Sequence, residues 1–212
     1  MQFDLTEEQL MIQQAARDFA LTELKPGVIE RDEHQKFPAE QIKKLGELGF
    51  LGMMVDPKYN GSGLDAISYV TVMEELSKID ASTSVVVSVN NSLVCYGLEK
   101  FGSEAQKEKY LKPLAAGEVI GAFCLSEPEA GSDATSQQTT AEDMGDYYLL
   151  NGTKNWITNG SNATYYIVIA QTDRSLKHKG INAFIVEKGM EGFTVGPKEN
   201  KLGIRGSDTH SL

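Results

Sequence analysis

The chain has 212 residues, 41% of them hydrophobic, and a formal net charge of -10. That length can bury a real core in one large or two small domains. The acidic balance argues against nucleic acid or an anionic membrane surface as partner, whereas an anionic small molecule needs only a few local donors. The two cysteines, Cys95 and Cys124, lie in apolar surroundings and read as buried reduced thiols rather than a disulfide framework. No charged-then-apolar leader opens the chain and no apolar run approaches spanning length, so a cytoplasmic location is expected.

Residues 1–118 read as helical. Thr6 to Gln9 forms a capping box, after which Ile12, Ala16 and Phe19 recur at helical spacing toward Pro26-Gly27. Pro38 suits the first turn of a second helix, with Ile42, Leu45 and Leu48 on one side and Gly49 as its stop. A third helix is expected from Asp65 as cap through Ile67, Val70, Met73 and Leu76. Val85 to Val94 is valine-rich enough to favour a strand, but Ser88, Asn90, Asn91 and Ser92 break any alternation, so a buried helix is expected. Ser103 to Lys112 carries another capping box, Ser103 with Gln106, and should close at Pro113.

Residues 119–212 change character, with short β-rich runs at 120–125, 147–150, 153–158, 164–170, 181–187 and 192–195. These predict an antiparallel barrel or sandwich. The fold class is therefore α+β, an all-α bundle over 1–118 followed by a β domain over 119–212.

One stretch of the β region looks chemical. Gly121 to Leu125 has strand character and stops at Ser126-Glu127-Pro128, because proline cannot donate to a ladder. Ala130 to Ser136 then offers hydroxyls and backbone N–H groups around Gly131, where a main chain can approach an anionic or heteroaromatic ligand. A plain polar turn is the competing reading. Further on, Asn151-Gly152 reads as a hairpin turn leading to Trp156-Ile157-Thr158, an indole beside a hydroxyl at a strand end. A core tryptophan next to a turn would look the same. Gly61-Ser62-Gly63-Leu64-Asp65-Ala66 imitates a dinucleotide fingerprint, with Asp80 as a possible ribose ligand. Five residues separate it from the apolar Phe50 to Val55 run, and no parallel sheet is foreseen, so it ranks low. His34, His178 and His210 are scattered, and no metal is assigned.

Leu125-Ser126-Glu127-Pro128 with Ala130-Gly131-Ser132-Asp133, Asn151-Gly152-Thr153-Lys154 with Trp156-Ile157-Thr158-Asn159, and Lys201 to Ser207 occur in this order. Together they resemble the acyl-CoA dehydrogenase family, and Val87 to Leu93 is most similar to its short-chain, butyryl-type branch. The resemblance implies FAD held by Phe123, Cys124, Leu125, Ser126, Gly131 and Ser132 and by Trp156, Ile157 and Thr158. Thr158 would donate near flavin N5, Trp156 would pack on the ring, Ser126 would meet the pyrimidine edge, and Ser132 would touch the coenzyme A ester.

The implied reaction converts a short acyl-CoA to trans-2-enoyl-CoA, with electrons passing to an electron-transfer flavoprotein and the subunits forming a homotetramer. It also implies that the carboxylate base lies in a further helical domain, so that this sequence, truncated in its β domain, carries no catalytic residue. Glu127 is read as shaping the turn and Glu129 as facing solvent. A non-catalytic binding or assembly fragment, an acyl-CoA oxidase and a flavin monooxygenase are the alternative readings.

Overall fold

The structure is a computed structural model that describes residues 4–212. Its chain divides into two compact units, one running up to Val119 and including Asn200–Ser207, the other comprising Ile120–Glu199 and Asp208–Leu212.

The first unit is helical. Helix α1, Glu7–Phe19, starts at the Thr6/Gln9 capping box and runs on as a π-helical turn, Ala20–Leu24. A short α2, Val28–Glu33, follows Gly27, whose φ of 74° restarts the chain in a new direction. This helix was not foreseen, since six residues are too few to show a periodicity. In α3, Ala39–Glu47, Ile42 and Leu45 are buried as expected, but Leu48 is half exposed because it falls after the last turn.

Helix α4, Ala66–Ser77, is capped by Asp65, which accepts from the Ser68 N–H at 2.7 Å. Its expected face holds only in part: Leu76 is buried, but Ile67 and Val70 are exposed while Ser68, Thr71, Val72 and Glu75 are buried. Packing against α1 and against the next helix overrides hydropathy, and a buried charge on that face finds its partner on α1. Glu75, for example, is bound by Arg17 at 3.0 and 3.1 Å.

Residues 81–101 form one helical rod: α5 (Ala81–Ser88), a π-helical stretch (Val89–Cys95) and α6 (Tyr96–Phe101). Within it Asn90 donates to the Leu51 and Leu114 carbonyls at 2.9 and 3.2 Å. Asn91 donates to Phe50 O at 2.9 Å and accepts from Met53 N at 2.8 Å. The asparagines thus satisfy the turns of 50–53, which form no strand. The second capping box opens α7, Glu104–Gln106. Pro113 does not end the helical run: after a π-helical Lys107–Leu111 it sits in the first turn of α8, Lys112–Ala115, a position that tolerates proline.

The second unit holds β1 (Gly121–Cys124), β2 (Thr140–Asp143), β3 (Tyr148–Asn151), β4 (Ile157–Thr158), β5 (Tyr165–Gln171), β6 (Ile181–Glu187) and β7 (Thr209–His210). The main sheet runs β1-β5-β2-β3 with β6 also on β5, and β4 pairs with β7 separately. It is mixed, not antiparallel as expected: β1 and β5 are parallel, Cys124 opposite Val168, and β2 meets β5 in parallel at Thr140 and Gln171. The long excursion from β1 through the β2–β3 hairpin returns the chain to the same end of the sheet, the requirement for a parallel neighbour.

The hairpin turn is also elsewhere than expected. It lies at 143–147, where Met144 N donates to Tyr147 O at 2.9 Å and Gly145 takes φ 93°. Asn151-Gly152 instead passes Thr139 so closely that a Cβ on Gly152 would stand 2.7 Å from the Thr139 Cα. Of 153–158 only Ile157 and Thr158 are strand, and 192–195 is not strand, following a turn closed by Phe193 N to Met190 O at 3.1 Å. Ala122, Cys124, Ile157, Ala163, Tyr166 and Val168 make the core of this unit.

Candidate cofactor site

Strand β1 stops after Cys124, and the chain turns at once: Glu127 N donates to Ala130 O at 2.9 Å and Ala130 N returns to Glu127 O at 3.2 Å. The loop beyond is exposed at Gly131, Ser132 and Asp133. A Cβ built on Gly131 would meet nothing within 4 Å, so the space in front of it is open. Asp133 closes the loop on itself, accepting from the Thr135 hydroxyl at 2.7 Å and from Ser136 Oγ at 2.5 Å, and these bonds hold its carboxyl below the usual range.

The base of the loop is ionic. Lys154 Nζ lies 2.6 Å from Glu127 Oε1, and the two side chains keep only 4% and 2% of their exposure. The same ammonium donates to Leu125 O at 3.0 Å and to Gln137 Oε1 at 3.3 Å. Glu127 also accepts from the backbone N–H groups of Gln138 and Thr139. Desolvation pushes the Glu127 carboxyl up, but the bonds from Lys154, Thr139 and Gln138 outweigh it and leave it below the ordinary value. Burial pushes the Cys124 thiol strongly up.

The second segment comes alongside through Asn155 N, which donates to Ser126 O at 2.8 Å. Trp156 follows with φ 60° and 62% of its surface exposed. A bulky residue held at positive φ costs about 1–3 kcal/mol, and an exposed indole returns nothing for it unless the ring has a partner. Thr158 is half-buried on β4.

The nine predicted residues therefore separate. Ser126, Gly131, Ser132, Trp156 and Thr158 present accessible groups, and Phe123 and Leu125 are half-buried. The side chains of Cys124 and Ile157 belong to the core, leaving only their backbone for a ligand. Among the described residues the hydroxyls of Ser126, Ser132 and Thr158 and the Trp156 indole N–H have no protein partner. Four free donors, an open glycine and an unstacked indole fit a flat heteroaromatic cofactor. Lys154, Gln137 and Thr139 were missed as contributors, although Lys154 stood inside a quoted motif. A lone lysine is ordinarily read as solvated.

Two family models match the chain: "Acyl-CoA dehydrogenase, N-terminal domain" over residues 6–118 and "Acyl-CoA dehydrogenase, middle domain" over residues 122–212. The chain belongs to the acyl-CoA dehydrogenase family. It is 48% identical over 212 residues to the short-chain specific acyl-CoA dehydrogenase of Clostridium acetobutylicum, covering 100% of this chain and 56% of that protein. It is 49% identical over 209 residues to the mitochondrial short-chain specific acyl-CoA dehydrogenase of Homo sapiens, covering 99% of this chain and 51% of that one.

Among solved structures it is similar to butyryl-CoA dehydrogenase from Megasphaera elsdenii, with TM-score 0.96, 46% identity, and 100% and 56% of the two chains covered. A chain in the structure of the electron transferring flavoprotein of Acidaminococcus fermentans matches with TM-score 0.97 and 49% identity, covering 100% of this chain and 56% of that one. A glutaryl-CoA dehydrogenase from Mycobacterium smegmatis in complex with FADH2 matches with TM-score 0.92 and 39% identity, covering 98% and 52%. This member of the family spans about half the length of the curated relatives it matches. Among the described residues no helix is long and apolar enough to cross a membrane.

Proposed function

We propose that this chain is the flavin-holding part of an FAD-dependent, cytoplasmic acyl-CoA dehydrogenase that acts on short acyl chains. The observation that carries the reading is Trp156, an exposed indole held at φ 60° beside the free hydroxyl of Thr158. FAD, when bound, supplies a two-electron acceptor that no amino-acid side chain can replace. In this reading Trp156 gives the ring its stacking surface, Thr158 and Ser126 give it hydrogen bonds, and the exposed Ser132 meets the acyl-CoA ester. Electrons pass onward to an electron-transfer flavoprotein, and the assembled protein is a homotetramer. The resemblance to the family is what suggests both, and the similarity to butyryl-CoA and short-chain specific enzymes supports the choice of substrate.

The α-proton needs a carboxylate base, and Glu127 is unsuited to that role. Its oxygens are buried, paired with Lys154 and occupied by two backbone N–H groups, which lowers its basicity. Glu129 is exposed on the loop. The resemblance to the family, rather than any elimination within this chain, is what assigns the base to a part of the protein outside these residues.

The test is anaerobic addition of butyryl-CoA to the full-length, FAD-loaded protein and, in parallel, to residues 1–212 with FAD. Bleaching of the flavin in the first and none in the second is expected. Turnover by the short chain would place the base within it, and no bleaching in either would overturn the dehydrogenase reading. Each methylene is worth about 1–3 kcal/mol in an apolar pocket, so longer thioesters should react less well in a graded way.

A further inference from the structure

We propose that Glu127 and Lys154 are a positioning pair: a buried strut that sets the loop bearing Gly131 and Ser132 and the segment bearing Trp156 and Thr158 in one fixed relation, so that both face the same ring. The inference rests on the flavin reading of the site.

The connectivity argues for it. Lys154 has three ammonium protons, and its three acceptors are Leu125 O and Glu127 Oε1 where the loop begins and Gln137 Oε1 where it ends. Glu127 Oε1 also takes the Thr139 N–H at 3.1 Å, and its Oε2 takes the Gln138 N–H, again where the loop ends. The pair therefore draws both ends of the loop to one point. That point lies two residues before Trp156, and Asn155 between them is bonded to Ser126 O at 2.8 Å. Lys154 is itself fixed along its backbone, donating to Leu212 O at 2.9 Å and accepting from Leu212 N at 2.8 Å.

Stability alone is a poor reason for such a pair. Burying two charges costs several kcal/mol per ion, and replacing a buried pair by apolar side chains of similar size is often neutral or stabilising. What apolar side chains cannot reproduce is a set of directed bonds that fixes two backbone segments to tenths of an ångström, the precision a cofactor cradle needs.

The test uses Trp156, the one tryptophan of the chain, as an internal probe. FAD is titrated into the parent, E127Q and E127M/K154M, following indole quenching and the visible circular dichroism of the flavin, with thermal unfolding measured alongside. The expected result is cooperative unfolding near the parent temperature in at least one variant, with FAD affinity lowered roughly tenfold and an altered dichroism band. K154R, which keeps the charge and bonding capacity, should recover part of the affinity.

Variants that fold and keep the parent's affinity, quenching and dichroism would overturn the proposal. So would loss of cooperative unfolding in both variants, since the pair would then hold the whole domain together rather than set the loop. Absence of quenching in the parent would instead overturn the flavin reading itself.

Discussion

Asn159 donates from Nδ2 to the Gly121 carbonyl across 2.9 Å, joining the end of the Trp156–Thr158 segment to the start of β1. It is wholly buried at φ 67°, and its own N–H donates to Asp208 O at 2.7 Å. Asparagine is one of the few residues that accept this backbone conformation at small cost. Asn159→Ala should lose about 2–3 kcal/mol, from the missing bond and the strained φ together. Asn159→Gly restores the backbone freedom and should lose only about 1 kcal/mol. Urea unfolding of the two variants checks the difference; equal losses would show that φ carries no strain there.

Gly152 and Thr139 touch backbone to side chain. A Cβ at residue 152 would lie 2.3 Å from Thr139 Oγ1 and 2.7 Å from its Cα. Gly152→Ala must move β3 or Thr139, and an overpacked contact of this kind costs about 1–3 kcal/mol. Thr139 also donates its N–H to Glu127, so the shift should reach the loop. The expected outcome is a lower unfolding temperature together with weaker FAD retention.

The Arg17–Glu75 pair supplies a pH dependence. The hydrogen bond from Arg17, helped by Lys78 and outweighing the upward push of burial, brings the Glu75 carboxyl down from 4.5 to about 2. A carboxyl lowered on folding stabilises the protein fully above its unfolded value and less as pH falls toward the folded one. The loss thus falls between about pH 4.5 and pH 2. Arg17 and Lys78 are half exposed, so solvent screening limits it to roughly 1–2 kcal/mol. Glu75→Gln should be less stable than the parent at neutral pH and match it near about pH 2, as followed by urea midpoints across that range.

What could be read from the sequence was what neighbours along the chain decide. The capping boxes at Thr6/Gln9 and Ser103/Gln106 form as spaced, because every partner lies within three residues. The turn after β1 at Glu127 to Ala130 was likewise legible, because Pro128 ends the ladder within the local sequence. The face of α4 was not, because Ser68, Thr71 and Glu75 are polar yet buried, and Glu75 is held by Arg17, distant in sequence. Asn151-Gly152 imitated a hairpin turn because glycine is demanded there by Thr139, a non-local reason that leaves the same letter. Lys154 was passed over because its burial depends on Leu125, Glu127 and Gln137 converging on it in space.

Flavin binding at Trp156 is tested most directly by titrating FAD into the chain while following indole fluorescence, with retained flavin measured after gel filtration of the parent and of Trp156→Ala. Saturable, single-site quenching in the parent is expected, with much less flavin retained by the variant because a large stacking surface is gone. Unquenched indole fluorescence in the parent, or a variant that keeps its flavin as tightly, would contradict it.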